Sequence, residues 1–192
     1  MIAGLQGKLQ AIGSNGAIIN VGGISFQVYM PTSTLSTLGA VGEEVELHTH
    51  LYLREDNATL YGFATAEELV LFQTLTTVAG VGPRLALAML SAMNVEKLTM
   101  AIASGSAELL SEVPGVGKKM ASRLILELKG KLAAGGLVPA EIAEENTDVL
   151  AALTSLGYSV REATRAIATL PQGPKLSLEE KIKLALQYFG GK

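Results

Sequence analysis

The chain contains no cysteine and only two histidines among its 192 residues. Without cysteine there can be no disulfide, no thiolate metal site and no cysteine nucleophile. The two histidines, His48 and His50, alternate in a strand-like stretch, and a zinc site would need more ligands than this pair supplies. The sequence therefore favours ordinary strand histidines over a metal centre, and no cofactor is expected.

Long apolar runs are also missing. The densest one, Leu85 to Val95, is too short to span a bilayer, and the first residues lack the basic and apolar segments of a signal peptide. We therefore expect a soluble, cytoplasmic protein without membrane contact. Hydrophobic residues make up 48% of the chain and charged residues only 17%, so we expect apolar surface to be covered in a homo-oligomer.

An excess of positive charge is absent as well, because the formal net charge is −3. In residues 1–64 only Lys8 and Arg54 are basic, whereas five residues are acidic. The later segments are balanced. A broad basic field for nucleic acid is thus excluded, and any contact with a polyanion has to be local.

The most informative feature that the chain does contain is a repeat. The segment 78–84, Val-Ala-Gly-Val-Gly-Pro-Arg, returns as Val-Pro-Gly-Val-Gly-Lys-Lys at 113–119. A Gly-apolar-Gly turn before a helix exposes backbone N–H groups that can bind an anion. A cation at a helix N-terminus opposes the helix dipole, so a bound phosphate explains the basic residues better. The residues predicted to bind DNA are Gly80, Val81, Gly82, Arg84, Gly115, Val116, Gly117, Lys118, Lys119 and Arg123.

Two other interpretations of these turns have to be weighed. A single Gly-Val-Gly is equally typical of a helix C-cap, and only its repetition in matching context favours phosphate binding. The second copy also resembles the end of a nucleotide P-loop. That motif requires glycine at position 112 and Ser or Thr at 119, where this chain has Glu112 and Lys119. We therefore expect no ATP hydrolysis by the chain itself.

Residues 1–64 have the pattern of an all-β domain. Asn15-Gly16 and Gly22-Gly23 are hairpin turn signals. Apolar and polar residues alternate over 24–30 and again in later stretches, as in half-buried strands. Five short strands, with one helical insertion that begins at Pro31, predict a Greek-key barrel of the OB type.

The rest of the chain is predicted to be helical. Residues 65–132 form two helix-hairpin-helix motifs, 133–145 form a flexible linker rich in Ala, Gly, Pro and Glu, and 146–192 form a three-helix bundle of the UBA type. The expected fold class is therefore α+β and multidomain. Capping boxes are predicted at Thr65–Glu68, Ser159–Glu162 and Ser177–Glu180.

A pair of carboxylates, Glu55 and Asp56, falls between two strand patterns and so crowns a β-hairpin. The plain interpretation is a solvated polar turn. Without a pocket around them, adjacent carboxylates are poor candidates for general acid and base catalysis. In a DNA-binding protein, however, two negative charges on a protruding hairpin would repel phosphates and steer strands.

Several segments together form a pattern: 1–4, 21–23, His50 with Arg54-Glu-Asp56, Leu60-Tyr-Gly-Phe63, 80–88, 114–119 and Arg123-Leu-Ile. This set resembles the RuvA family of bacterial Holliday-junction-binding proteins from end to end. The glycine turns alone are shared by many repair proteins. The Arg-Glu-Asp hairpin, the Tyr-Gly-Phe segment and the doubled turn together are specific to the family.

The resemblance implies a non-catalytic subunit that forms a fourfold-symmetric tetramer, in some members paired into an octamer, and holds a four-way junction open and planar. It implies that Glu55 and Asp56 form an acidic pin at the crossover and that the glycine turns grip the DNA arms. Residues 146–192 would contact the RuvB ATPase motor. A RuvC-type resolvase stays open as a further partner. Arg84 stands where lysine is common in relatives, which preserves the charge.

Two other functional classes stay open from the residues alone. Helix-hairpin-helix glycosylases and nucleases place a catalytic lysine or aspartate beside the second turn, or carry a metal-binding carboxylate cluster. Asp56 and Asp148 are the only aspartates of this chain, and neither lies at that position. An adaptor that binds only proteins through residues 146–190 is the third class.

Overall fold

A computed structural model of the chain describes residues 2–134, 146–158, 160–170 and 176–190. The chain divides into two compact units, Met1–Val95 and Glu96–Lys192. The division falls inside the predicted helical domain 65–132, so each unit contains one of the two glycine turns. The domain boundaries drawn from the sequence stay predictions.

Five strands form a closed barrel in the order β1-β2-β3-β5-β4. All neighbours are antiparallel except β3 and β5, which pair in parallel. A short helix α1 (Thr32–Leu35) lies between β3 and β4. The predicted barrel of the OB type with one helical insertion is confirmed. The strands are β1 (Gly4–Ile12), β2 (Gly16–Val21), β3 (Ile24–Tyr29), β4 (Glu44–Arg54) and β5 (Asn57–Phe63).

The barrel closes because its strands alternate between the core and the solvent. In β4, Val45, Leu47 and Thr49 are buried, whereas the residues between them are exposed. The signal at Gly22-Gly23 lies at a turn, whereas that at Asn15-Gly16 is displaced by one residue, because Gly16 already begins β2. Gly22 and Gly23 have φ of 58° and 93°, as a two-residue type I′ turn requires. The buried core of the barrel consists of Leu5, Leu9, Ala17, Ile19, Val28, Met30, Leu38, Val45, Leu47 and Leu60.

Helix α2 (Ala66–Thr76) begins at the predicted capping residue, but the capping box is only half formed. The Thr65 hydroxyl accepts the Glu68 N–H at 3.1 Å, as predicted. The Glu68 carboxylate, however, accepts from the Ala64 N–H at 3.0 Å and from the hydroxyls of Ser33 and Thr34 at 2.9 and 2.8 Å. Glu68 therefore connects α1 to the start of α2 across 34 residues of sequence.

An aromatic group on the barrel packs against α2. The Phe72 ring lies 4.9 Å from that of Phe63, 5.1 Å from that of Tyr61 and 5.7 Å from that of His50. Burial at this contact lowers the pKa of His50, and its Nδ1 lies 3.3 Å from the Gln73 side-chain nitrogen. His50 is thus a packed core-edge residue. Within the described residues, no group of three or more His, Asp or Glu is placed to hold a metal ion.

The second glycine turn lies among helices that follow α3 (Pro83–Ala92). They are α4 (Val95–Ala103), α5 (Ala107–Ser111) and α6 (Lys118–Ala134). Helix α5 ends two residues before the buried Val113 of the second turn. Helix α6 continues two residues into the predicted linker, of which 135–145 lie outside the described residues. No single helix in the described ranges is long and apolar enough to cross a membrane, although α3 and α4 taken together meet that test of length and composition.

Three helices, α7 (Thr147–Ser155), α8 (Val160–Ala168) and α9 (Leu178–Gly190), pack together as the predicted C-terminal bundle. The Tyr158 ring stacks on Phe189 with centroids 4.0 Å apart. The capping box at the start of α9 is complete. The N–H and hydroxyl of Ser177 donate to the Glu180 carboxylate, both at 2.8 Å, and lower its pKa. The box predicted at Ser159 involves a residue outside the described part.

Substitution of Glu68 tests the connection between α1 and α2. Glu68→Ala removes the acceptor of three hydrogen bonds and should lower the free energy of unfolding by about 2 kcal/mol, because bonds to charged groups contribute in this range. Glu67→Ala is the matched control, since Glu67 is exposed in the same helical turn and has the same favourable interaction with the helix dipole. Urea unfolding followed by tyrosine fluorescence measures both variants. Equal destabilisation would show that only the dipole matters.

Candidate nucleic-acid interface

The first glycine turn joins α2 to α3 with a left-handed residue at its centre. Gly80 has a φ of 91°, which an L-residue with a side chain rarely adopts. The Val81 N–H then donates to the Val78 carbonyl at 3.0 Å, and both valines are buried. Gly82 caps α3, whose first intrahelical bond runs from the Ala86 N–H to the Gly82 carbonyl at 3.0 Å. The turn is thus fixed in the core while its glycines face outward.

The second turn repeats this geometry 35 residues later. Gly115 has a φ of 93°, and the Val116 N–H donates to the Val113 carbonyl at 2.9 Å. Both valines are again buried. The Ala121 N–H donates to the Gly117 carbonyl, also at 2.9 Å. The predicted pair of helix-hairpin-helix turns is therefore present with matching backbone bonds.

Each turn delivers backbone donors without helical partners. In α3 the N–H groups of Arg84 and Leu85 precede the first intrahelical bond, while Pro83 has none to offer. In α6 those of Lys118, Lys119 and Met120 precede it. The dipoles of α3 and α6 add partial positive charge at the same ends. These termini can therefore accept the oxygens of an anion.

Gly82 and Gly117 are not required by the fold. Gly82 has φ −87° and ψ 170°, which any residue adopts, and Gly117 is not among the glycines with positive φ. A Cβ built on either one meets no atom within 4 Å. Their missing side chains instead leave open space over the helix N-termini. Such space allows the close approach of a ligand to the backbone.

The basic side chains of the two turns are accessible. Arg84, Lys118 and Lys119 are exposed, and within the described ranges none of them forms an ion pair. Arg123 is also exposed, four residues after Lys119 on the same helix. Three positive charges therefore lie beside backbone donors, where they oppose the dipole of their own helices. A bound anion would relieve that conflict.

The paired carboxylates occupy the hairpin that the sequence predicted. Strand β4 ends at Arg54, β5 begins at its register partner Asn57, and Glu55 and Asp56 form the two-residue turn between them. All four residues are exposed. The Arg54 guanidinium turns back to the Tyr52 hydroxyl, to which Nη2 donates at 3.0 Å and Nε at 3.2 Å.

Three tyrosines near this hairpin were not predicted from the sequence. Tyr29, Tyr52 and Tyr61 come from β3, β4 and β5, and their rings form a group on the barrel surface. Burial raises the pKa of Tyr61, with a smaller upward contribution from Tyr52 and an opposing one from Arg84. The only sequence signal for this group was the alternation of apolar and polar residues within each strand. The parallel register that places Tyr29 beside Tyr61 cannot be read from it.

Comparison with known families covers most of the chain. Residues 1–62 match the RuvA N terminal domain, residues 72–131 match the SAM-like Helix-hairpin-helix tandem, and residues 144–189 match the RuvA, C-terminal domain. Curated relatives align along the full length. The chain is 54% identical over 196 residues to the Holliday junction branch migration complex subunit RuvA of Dehalococcoides mccartyi (strain CBDB1), with 100% of both chains covered.

The chain belongs to the RuvA family. Relatives with the same printed name include those of Herpetosiphon aurantiacus, 44% identical with 100% of both chains covered, and Chloroflexus aggregans, 46% identical with 99% covered. The resemblance inferred from the sequence is confirmed. The RuvA N-terminal match contains the acidic hairpin, and the helix-hairpin-helix match contains both glycine turns.

The glycines of the two turns should differ in their effect on stability. Gly80→Ala and Gly115→Ala force a side chain into a left-handed conformation, which costs about 1–2 kcal/mol each and should lower the thermal midpoint. Gly82→Ala and Gly117→Ala should cost less, below about 1 kcal/mol, because their backbone angles accept a side chain and only the N-cap preference for glycine over alanine is lost. Thermal unfolding followed by circular dichroism measures all four. Similar losses at Gly82 and Gly117 would show that the fold does need these glycines.

Proposed function

We propose that the chain binds four-way DNA junctions as a homotetramer, holds them open and planar, and recruits a RuvB-type ATPase for branch migration in recombination and repair. Relatives that align over the whole chain carry the name of a Holliday junction branch migration complex subunit. The observation that carries the proposal is the pair of turns whose outer glycines, Gly82 and Gly117, the fold does not need. DNA phosphates are the anions that such turns would hold.

Binding through these turns is independent of base sequence, because phosphate contacts position a duplex without reading it. Each turn would hold one or two phosphates through backbone N–H groups and the adjacent cation. A tetramer would present roughly eight such turns, and their summed weak contacts provide avidity only when the DNA arms have the right geometry. A net-acidic protein can in this way prefer a junction over a plain duplex.

The acidic hairpin is proposed to repel DNA, whereas the glycine turns attract it. Glu55 and Asp56 are exposed at the tip of the β4–β5 hairpin and would repel phosphates that approach it. Placed at the crossover of a junction, the hairpin keeps strands apart. The turns attract the arms while the hairpin keeps the centre clear.

The C-terminal helices are proposed to bind the motor. Helix α9 presents a shallow, mainly apolar surface, with Ile182 and Leu186 four residues apart on one face. Such a stripe fits a partner helix or loop. Pairing of tetramers into octamers and contact with a RuvC-type resolvase stay expectations of the family resemblance, as does the cytoplasmic location.

We assign the ATPase to the partner and no catalysis to this chain. The helix-hairpin-helix glycosylase or nuclease is the weaker alternative, because the relatives and the two RuvA domains match along the chain. Incubation of junction DNA with the protein and Mg²⁺ separates the two. Strand cleavage or base release would favour the enzyme.

The function is tested by junction binding of two double variants. Lys118→Ala/Lys119→Ala should weaken binding and reduce the slope of log K against log salt by about 0.9 for each lost phosphate contact. Gly82→Ala/Gly117→Ala should weaken binding without any change in charge, because each Cβ keeps phosphates away from the backbone.

The control is Lys129→Ala/Lys131→Ala, which removes the same charge from the other end of α6. Gel shifts with a synthetic four-way junction at several salt concentrations measure all three. Equal losses of affinity in the two lysine pairs would mean that only general charge matters. Unchanged binding by the glycine double variant would show that DNA does not approach the backbone at these turns.

Neutralisation of the two hairpin carboxylates tests whether they steer the DNA strands. Glu55→Gln/Asp56→Asn should keep or tighten binding but relax the preference for junctions, because the repulsion of strands at the centre is lost. Glu44→Gln/Glu46→Gln is the control, since it removes two exposed charges from the opposite end of strand β4. Competition of a labelled junction with linear duplex gives the preference. The prediction fails if discrimination is the same in both variants.

A further inference from the structure

The unit Met1–Val95 contains a cleft of about 760 Å³ between the barrel and α3. Its walls include Tyr29, Tyr52 and Tyr61 from the barrel and Ser91 from α3. Arg54 lines the cleft at the base of the acidic hairpin, and Arg84 lines it at the first glycine turn. The cleft thus connects the two features that are proposed to handle DNA, and its size is that of a small-ligand site.

The aromatic wall offers two accessible rings. Tyr61 is buried at 7% exposure and lies 6.3 Å from the Tyr29 ring and 6.4 Å from the Tyr52 ring. Tyr29 and Tyr52 are only half-buried. Tyr61 lines the cleft beside the other two rings, and Tyr29 and Tyr52 present more surface to it. Half-buried aromatic faces of this kind are platforms on which nucleic-acid bases stack.

The two arginines supply the complementary charge. The Arg54 guanidinium lies 5.3 Å from the centroid of the Tyr52 ring and donates to its hydroxyl, so ring and cation are held together. Arg84 is close enough to Tyr61 to affect its pKa. A planar guanidinium binds phosphate oxygens in pairs and also stacks on bases. Aromatic rings with adjacent arginines form the typical surface for single-stranded nucleic acid.

Base pairing decides which nucleotide can enter. A base within a duplex has both faces covered by its neighbours, so only an unpaired base can stack on Tyr29 or Tyr52. Unpaired bases arise where strands exchange partners, which is where the acidic hairpin is proposed to act. Arg54 and Arg84 both line the cleft and can bind the phosphate of such a nucleotide, whose strand would continue to the first glycine turn.

We propose that this cleft holds one unpaired nucleotide of a strand at the junction crossover, with its base against Tyr29 and Tyr52 and its phosphate between Arg54 and Arg84. The inference rests on the proposed function and adds a base-stacking subsite to it. The subsite tolerates any base, since every base has a face to stack.

The test uses the full-length protein and a synthetic four-way junction with 5-iododeoxyuridine either at the crossover or about ten base pairs into one arm, one helical turn away. Irradiation should cross-link the crossover probe to peptides that contain Tyr29 or Tyr52, with at least tenfold lower yield from the arm probe. Tyr29→Leu/Tyr52→Leu should lose this cross-link at least tenfold. Tyr29→Phe/Tyr52→Phe keeps both rings, so its cross-link should map to the same two positions. For that variant the position of the cross-link is measured rather than its yield.

The outcomes separate the two proposals. If the wild-type protein does not shift the junction in a gel, the proposed function fails. If it does, but both probes cross-link equally or to peptides outside the cleft, the nucleotide subsite is wrong and the function stands. Competition by free thymidine monophosphate at the concentration of the junction would assign the cleft to a free nucleotide and also overturn it. Circular dichroism of the leucine variant verifies its fold, and the mapped wild-type cross-link decides the matter if that variant unfolds.

Discussion

One backbone hydrogen bond in each glycine turn fixes where the following helix begins. The Val81 N–H donates to the Val78 carbonyl in the first turn, and the same bond joins the equivalent valines of the second. Both valines of each turn are buried, and burial of a valine contributes about 1.5–3 kcal/mol. The turn cannot rotate without exposing them. The hydrophobic core, rather than surface charge, therefore aims the helix amides outward.

This arrangement explains how a chain of net charge −3 can be proposed to bind DNA. Charges further apart than about 8 Å are largely screened at physiological ionic strength. In the proposed function, the cations of the turns act only on phosphates within that range. Attraction and repulsion can then be placed on different parts of one chain. A uniformly basic surface would bind any duplex and lose the preference for a shape.

The parts of the fold that the sequence predicted are those with local signals. The glycine pair at 22–23 and the two glycine turns each require backbone angles that few other residues allow. In the strands, the alternation of apolar and polar residues matches the alternation of buried and exposed positions. Contacts between distant segments had no such signal. The Glu68 carboxylate looked like half of a capping box, yet it binds donors from α1 and from Ala64. The tyrosine group likewise depends on the parallel pairing of β3 with β5.

The position of the first turn relative to the acidic hairpin follows from α1. The Thr32 N–H at the start of α1 donates to the Ser91 hydroxyl of α3 at 3.0 Å, and Thr34 is held by Glu68 at the start of α2. Both helices that flank the turn are therefore connected to a segment that continues directly from strand β3. Phe72 of α2 adds packing against Phe63 and Tyr61 of the barrel. The turn and the hairpin thus belong to one packed body, so the features proposed to attract and to repel DNA are held at a constant separation. A preference for DNA shape can then arise within this single unit, before any second turn or second subunit contributes.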